Sequence, residues 1–208
     1  MLELGTRHDG GLANDFTLAR RRRMMGLARG VTVSTLGAPA GPIARSGIVR
    51  GDIRRGFGTA NGVARGVPLD IRVRLTSATS GRPLAGHAVY LWHCDRDGNY
   101  SLRSPGLENE NYLRGMQATD SAGWVRFTSI FPGSHEGAWP RLHVEVYRSV
   151  AAASCPATRL HAAEIMLPAD ACVQAHGTAE GHPGATVMMA CVTGDVRRGL
   201  VATRTMGI

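Results

Sequence analysis

Strict alternation of apolar and charged residues between positions 69 and 75 constrains the fold of this chain more than any other feature. In this stretch, LDIRVRL, every second residue is apolar and each residue between them is charged. Successive side chains of a β-strand point to opposite faces, so the pattern predicts a half-buried strand. Turn residues follow at 80–83, Ser-Gly-Arg-Pro, where the strand pair must reverse direction.

Similar short segments recur along the rest of the chain. We expect strands near 87–92, 124–130, 141–147, 159–166, 185–193 and 199–206, with Gly, Pro and Asp turns between them. Residues 101–117 have no clear period and are expected to form a long irregular loop, and residues 168–174 one or two helical turns. The pattern predicts an all-β fold, an antiparallel β-sandwich with long irregular loops, or alternatively a barrel.

The N-terminal segment differs in composition from the rest. At 208 residues the chain suits one domain, and we divide it into an N-terminal basic arm, residues 1–40, and a sandwich, residues 41–208. Four arginines at 20–23 precede a short apolar stretch, and Ala38-Pro39-Ala40 follows, which is the outline of an export signal. The alternative is a short basic helix or a disordered arm of a cytoplasmic protein.

Charge and cysteine content exclude several classes of function. The net charge is +8, and all 24 basic residues are arginine, but they are scattered outside 20–23 and no aromatic residues alternate with them. Nucleic acid is therefore not an expected partner. No segment reaches the roughly 20 apolar residues of a membrane span. The four cysteines, 94, 155, 172 and 191, include no close pair of the zinc type, and their disulfide pairing stays open.

Three potential metal ligands stand next to tight turns or on strand ends. Tyr100 follows an Asp-x-Asp-Gly turn, His135 follows Pro132-Gly133, and His143 lies on the face of a strand opposite Leu142 and Val144. Loops and strand ends of a rigid scaffold commonly supply the separate donors of one metal site. The alternative for His143 is a polar strand face, shared with Arg141 and Glu145, that contacts water.

The central segments carry a family resemblance. Residues 92–101, WHCDRDGNYS, resemble the WHCDADGxYS signature of intradiol ring-cleavage dioxygenases, and residues 112–117, YLRGMQ, are similar to that family's FLRGxQ. Residues 119–127 resemble TDADGxVRF, and residues 131–144 resemble [FY]PGxYxGRxxHIHV. Weaker similarity extends to the segments Gly41-Pro42, 50–54, 192–195 and 202–208, and an opening of the exported members is similar to 11–23.

The resemblance implies a β-sandwich that holds non-haem Fe(III) and inserts O2 into catechols, often as a homodimer. The family binds iron through two Tyr and two His. The first Tyr falls on Tyr100 and the last His on His143, but the second Tyr position holds His135 and the first His position holds Arg141. A guanidinium has no lone pair to donate, so Arg141 cannot be a ligand.

Two further family positions also differ. The family Arg that stabilises the substrate falls on Ala138, and the active-site Gln falls on Glu164. Arg141 and Glu164 are thus the candidate catalytic residues, and Tyr100, His135 and His143 the candidate metal ligands. One unit of like charge at ~4 Å, with an effective dielectric constant of ~20, opposes a bound cation by roughly 4 kcal/mol. Loss of one tyrosinate and gain of Arg141 should therefore weaken ferric binding.

Three functions stay open. In the first, the chain is an intradiol dioxygenase whose iron site has fewer ligands and whose activity on a small aromatic diol is reduced. In the second, it is a non-catalytic binding module without metal. In the third, Tyr100, His135 and His143 form a two-His-one-oxygen site for a divalent metal with changed chemistry.

Overall fold

The structure is a computed structural model that describes residues 47–179 and 188–208. These residues belong to one compact unit, Ala40–Ile208. The expected N-terminal arm and its export signal lie outside the described residues. In the described ranges, no helix is long and apolar enough to cross a lipid bilayer.

Nine strands and one α-helix make up the described secondary structure, with two 3-10 turns at Ala152–Ser154 and Pro156–Thr158. The strands are β1 Pro68–Thr76, β2 Ala88–Trp92, β3 Arg114–Ala118, β4 Trp124–Ile130, β5 Arg141–Tyr147, β6 Arg159–Met166, β7 Met188–Met189, β8 Cys191–Asp195 and β9 Gly199–Gly207. Helix α1 spans Ala169–His176 and ends at Gly177, which adopts the left-handed conformation that glycine tolerates.

The strands form two sheets, as expected for a sandwich. One sheet has the order β4-β1-β9-β8 and the other β3-β2-β5-β6-β7. Most neighbours are antiparallel, but β1 pairs in parallel with β9, and β6 with β7. Both sheets are therefore mixed, the first through the C-terminal strand beside β1 and the second through the short strand β7 beside β6.

The core lies between the sheets and follows the sequence periodicity. The alternating apolar residues of β1 are buried to 1% exposure or less, and they pack with Leu142, Val144 and Val146 of β5 in one cluster. The apolar face predicted for residues 141–147 is therefore confirmed.

The opposite face of the five-stranded sheet is buried as well. Trp92, His143 and Glu145 face away from the core, yet each is at most 1% exposed. The chain before β1 pairs along the β3 edge of this sheet, where the Arg50 N–H donates to Met116 O and the Leu113 N–H to Ile53 O. The alternative of a water-facing polar surface at 141–145 is therefore wrong for His143 and Glu145, although Arg141 is partly exposed.

The expected irregular loop at 101–117 is only partly irregular. Its last four residues, from Arg114, belong to β3, which pairs with β2 at Trp92↔Arg114. In this short strand the first three residues in a row are buried, so it lacks the alternation that reveals a half-buried strand. The connection that remains, residues 93–113, carries Tyr100.

Candidate active site

Tyr100 is held by the turn that precedes it. The Asp95 carboxylate accepts hydrogen bonds from the backbone N–H groups of Asp97 and Asn99, at 3.0 and 2.8 Å. Gly98 completes this turn with a φ of 84°, which favours glycine. The turn directs Tyr100 inward, where only 3% of the residue is exposed.

His143 meets Tyr100 over the buried outer face of the five-stranded sheet. The Tyr100 hydroxyl and His143 Nε2 are 2.8 Å apart, which is hydrogen-bond distance. The His143 ring stacks on Trp92, its cross-strand neighbour, with 4.9 Å between centroids and 11° between planes. His143 is therefore fixed on one side by an aromatic face and at its Nε2 edge by a phenol.

His135 approaches Tyr100 from a different loop. Its ring lies 4.8 Å from the Tyr100 ring in an edge-on arrangement, with 84° between planes. His135 Nδ1 is 2.7 Å from the carbonyl oxygen of Gly98. A carbonyl only accepts, so Nδ1 carries the hydrogen and the lone pair of the neutral ring is on Nε2. Metal-binding histidines have this arrangement when a backbone carbonyl fixes their tautomer.

Arg141 and Glu164 form an ion pair beside His143. The Arg141 Nη1–Glu164 Oε2 distance is 2.8 Å, and the two side chains are 23% and 25% exposed. Glu164 is the cross-strand neighbour of His143, and its Oε1 lies 3.5 Å from His143 Nδ1. Arg141 also donates through Nε to Trp139 O. Its positive charge therefore has a carboxylate partner, which weakens the repulsion of a cation that the sequence alone suggested.

Strained backbone conformations lie in the segments that carry Tyr100 and His135. In the described part of the chain, three non-glycine residues have a positive φ: Leu102 at 69°, Leu113 at 56° and Glu136 at 47°. They stand next to or near Tyr100, Arg114 and His135. Such conformations cost of the order of 1–3 kcal/mol each and persist where surrounding contacts impose them.

The donors present fit a metal ion with few ligands. Two donor atoms at about 2.0 Å from one tetrahedral ion are roughly 3.3 Å apart, so the 2.8 Å between the Tyr100 hydroxyl and His143 Nε2 would have to widen only slightly around an ion. Within 47–179 and 188–208, no group of three or more His, Cys, Asp or Glu could hold a metal. A site here therefore depends on Tyr100 as the third donor beside two histidines.

Other residues near the site have contacts that the sequence does not predict. Trp92 and Arg114 lie in the segments 92–101 and 112–117 that resemble family motifs, but their neighbours are set by the pairing of β2 with β3 and β5. His93 follows Trp92 but bonds on the other side, with Nε2 2.7 Å from Ser129 Oγ. Burial lowers the pKa of His93 to about 4, so it is neutral at pH 7.

All four cysteines are free thiols; Cys94 and Cys172 are buried.

Comparison with known proteins places this chain in a family. A family model described as Dioxygenase matches residues 51–160, slightly more than half of the chain. Chlorocatechol 1,2-dioxygenase of Rhodococcus opacus is 40% identical over 68 residues, which are 31% of this chain and 26% of that protein. The match thus spans about a quarter of the curated relative's length.

Solved structures share the fold. An intradiol ring-cleavage dioxygenase from Tetranychus urticae superposes with a TM-score of 0.59 at 18% identity, over 77% of this chain and 86% of that one. For 3-chlorocatechol 1,2-dioxygenase from Rhodococcus opacus 1CP the TM-score is 0.53 at 16% identity, over 91% and 76%. At these identities the likeness concerns the fold, and the family model carries the assignment. The chain belongs to the intradiol ring-cleavage dioxygenase family.

Proposed function

We propose that this protein binds a divalent metal ion through Tyr100, His135 and His143 and takes a catechol-type aromatic diol beside it. One observation carries the proposal: the 2.8 Å approach of the buried Tyr100 hydroxyl and His143 Nε2, with the His135 ring 4.8 Å from the Tyr100 ring. Membership of the intradiol family supports the aromatic diol as ligand.

The charge of the donor set favours a divalent ion over a ferric one. Tyr100 can supply one negative charge, while His135 and His143 supply neutral imidazoles. The family set includes a second tyrosinate, which falls here on His135, and a second histidine, which falls on Arg141. Two histidines with one oxygen donor suit Fe(II) and related divalent ions better than Fe(III).

The residues around the donors have separate tasks. Trp92 holds the His143 ring by stacking, and Gly98 O fixes the His135 tautomer. Glu164 places a carboxylate oxygen 3.5 Å from His143 Nδ1 and at the same time neutralises Arg141. A metal bound here would act as a Lewis acid toward the oxygens of the diol. Because Ala138 replaces the family arginine, we expect ring cleavage to be slower than in the four-ligand members.

Metal binding and oxygen uptake test the proposal together. The protein is dialysed separately against Fe(II), Fe(III), Zn(II) and Mn(II), and bound metal is measured; oxygen uptake is then followed with catechol. We expect one divalent ion per chain, bound at least about tenfold more weakly in Tyr100→Phe and in His135→Gln. His87→Gln is the matched control, since His87 stands just before the start of β2, the end opposite Trp92, and its side chain bonds Ala85 O in its own loop.

The ion pair favours a second candidate, a non-catalytic binding protein without metal. Arg141 and Glu164 stand where the resemblance places a metal-binding His and the active-site Gln, and they bond each other at 2.8 Å. No bound metal under any of the four conditions would support this candidate and reject the first. In that case, the double change Arg141→His with His135→Tyr should create an iron-binding, coloured protein, because it restores the family ligand set.

A further inference from the structure

Arg114 is a buried cation directly behind the loop that carries Tyr100. It is 1% exposed and stands at the start of β3, as the cross-strand neighbour of Trp92. Its Nε donates to Ser101 Oγ at 3.1 Å, and its Nη2 donates to Ser101 O at 2.8 Å. One guanidinium therefore hydrogen-bonds both the side chain and the backbone of Ser101, the residue that follows Tyr100.

The backbone is strained next to both residues of this contact, Ser101 and Arg114. Leu102, after Ser101, and Leu113, before Arg114, both have positive φ. Ser101 Oγ in turn donates to Tyr112 O at 2.6 Å, so the two ends of the loop are tied together. Ordinary residues adopt such backbone angles only when surrounding bonds hold them there.

A second arginine holds Arg114 itself. Arg50 donates to Arg114 O through Nε at 3.0 Å and through Nη2 at 2.7 Å, and to Asn111 O at 2.9 Å. Its guanidinium lies 4.6 Å from the centre of the Phe57 ring. Burial lowers the pKa of Arg50 to about 10, which leaves it charged at neutral pH. The segment before β1 is thus connected through Arg50 and Arg114 to the Tyr100 loop.

We infer that Arg114 is the positioning residue of Tyr100, holding the phenol against His143 through Ser101. Arg114 bonds Ser101, the residue that follows Tyr100, and so acts through the backbone next to Tyr100. The inference concerns the contact between Tyr100 and His143 in the metal-free protein. It also deepens the proposed function, on which its consequence for metal affinity rests.

The first test uses metal-free protein. The 15N resonance of His143 Nε2 reports its hydrogen bond with Tyr100, and Tyr100→Phe gives the value without that bond. We expect Arg114→Met to move the resonance at least halfway to the Tyr100→Phe value, and Arg114→Lys to move it less. Arg204→Met is the control, because half-buried Arg204, on β9 of the other sheet, also donates to a backbone carbonyl, Met189 O of β7.

If Arg114→Met does not fold, Ser101→Ala replaces it, since it removes one of the two acceptors and should move the resonance in the same direction. A folded Arg114→Met, or a folded Ser101→Ala, with the wild-type resonance would overturn the inference.

The second test is metal affinity. Loss of a residue that orients a ligand typically weakens binding 10–100-fold, and we expect Arg114→Met to weaken Zn(II) binding about tenfold or more, with Arg204→Met unchanged. A wild-type protein that binds no Zn(II), Fe(II) or Mn(II) rejects the proposed function, while the resonance of His143 still decides the role of Arg114.

Discussion

The ion pair between Arg141 and Glu164 provides the sharpest energetic prediction. We consider Arg141→Met, Glu164→Gln and the double variant, which keep side-chain volume while removing one charge or both. The pair is close, with 2.8 Å between Nη1 and Oε2, and about a quarter of each side chain is exposed. Its strength decides whether the charge of Arg141 is neutralised within the site.

The structure sets the expected magnitude between two limits. Exposed ion pairs contribute about 0.2–1 kcal/mol, and breaking a buried pair by removing one partner costs roughly 3–5 kcal/mol. At one quarter exposure, solvent screens part of the interaction, so we expect a coupling energy of about 1–2 kcal/mol between Arg141 and Glu164. The losses of unfolding free energy in the two single variants should then add up to about 1–2 kcal/mol more than the loss in the double variant.

Urea unfolding of the four proteins in this cycle gives the coupling energy. The matched control is the Arg54–Asp52 pair, which is as close at 2.7 Å but 42% and 47% exposed. For Arg54→Met with Asp52→Asn we expect a coupling below about 0.5 kcal/mol. If the coupling between Arg141 and Glu164 is no larger than in this control, Glu164 does not neutralise Arg141, and the reasoning that the site tolerates a cation beside Arg141 is refuted.

Two further predictions concern the frame of the site. Burial holds the pKa of His93 at about 4 in the folded protein, whereas the unfolded chain takes up this proton near 6.5; stability is therefore complete above about pH 6.5 and falls by roughly 3 kcal/mol as the pH drops toward 4. Denaturant midpoints from pH 4 to 8 should show this slope in the wild type and not in His93→Gln, and equal slopes would contradict it. Gly98→Ala places a Cβ against the Ser134 carbonyl oxygen at φ 84°, while Gly81→Ala has a similar φ of 69° and open space. Calorimetry should show Gly98→Ala to be less stable than Gly81→Ala by about 1–3 kcal/mol, and equal losses would mean that the loop holding His135 can shift freely.

The sandwich could be predicted from the sequence because its half-buried strands alternate. Strand β1 has a charged residue on one face and an apolar one on the other at every step, and the observed Trp124–Ile130 and Arg159–Met166 have the expected bounds. Strand β3 was missed because its residues are mostly buried on both sides and it contains Gly115. The parallel pairing of β1 with β9 could not be predicted from the sequence either, because periodicity determines which face of the sheet a residue takes but not which strand lies beside it.

Motifs identify the candidate ligands, but the contacts of the residues around them depend on strand pairing. Tyr100, His135 and His143 stand in segments whose resemblance fixed their register. The partner of Arg141 could not be inferred, because Glu164 is 23 residues away and its contact depends on the pairing of β5 with β6. For the same reason, the sequence suggested a bare positive charge at the site where the structure has an ion pair.

Equilibrium dialysis against Fe(II) and Zn(II), with bound metal measured by mass spectrometry, tests most directly whether Tyr100, His135 and His143 act as one site. We expect one ion per chain in the wild type and in His87→Gln. Each of Tyr100→Phe, His135→Gln and His143→Gln should weaken binding at least tenfold while the protein stays folded. Metal bound with unchanged affinity in all three variants, or no metal bound by the wild type, would contradict a shared metal site at these residues.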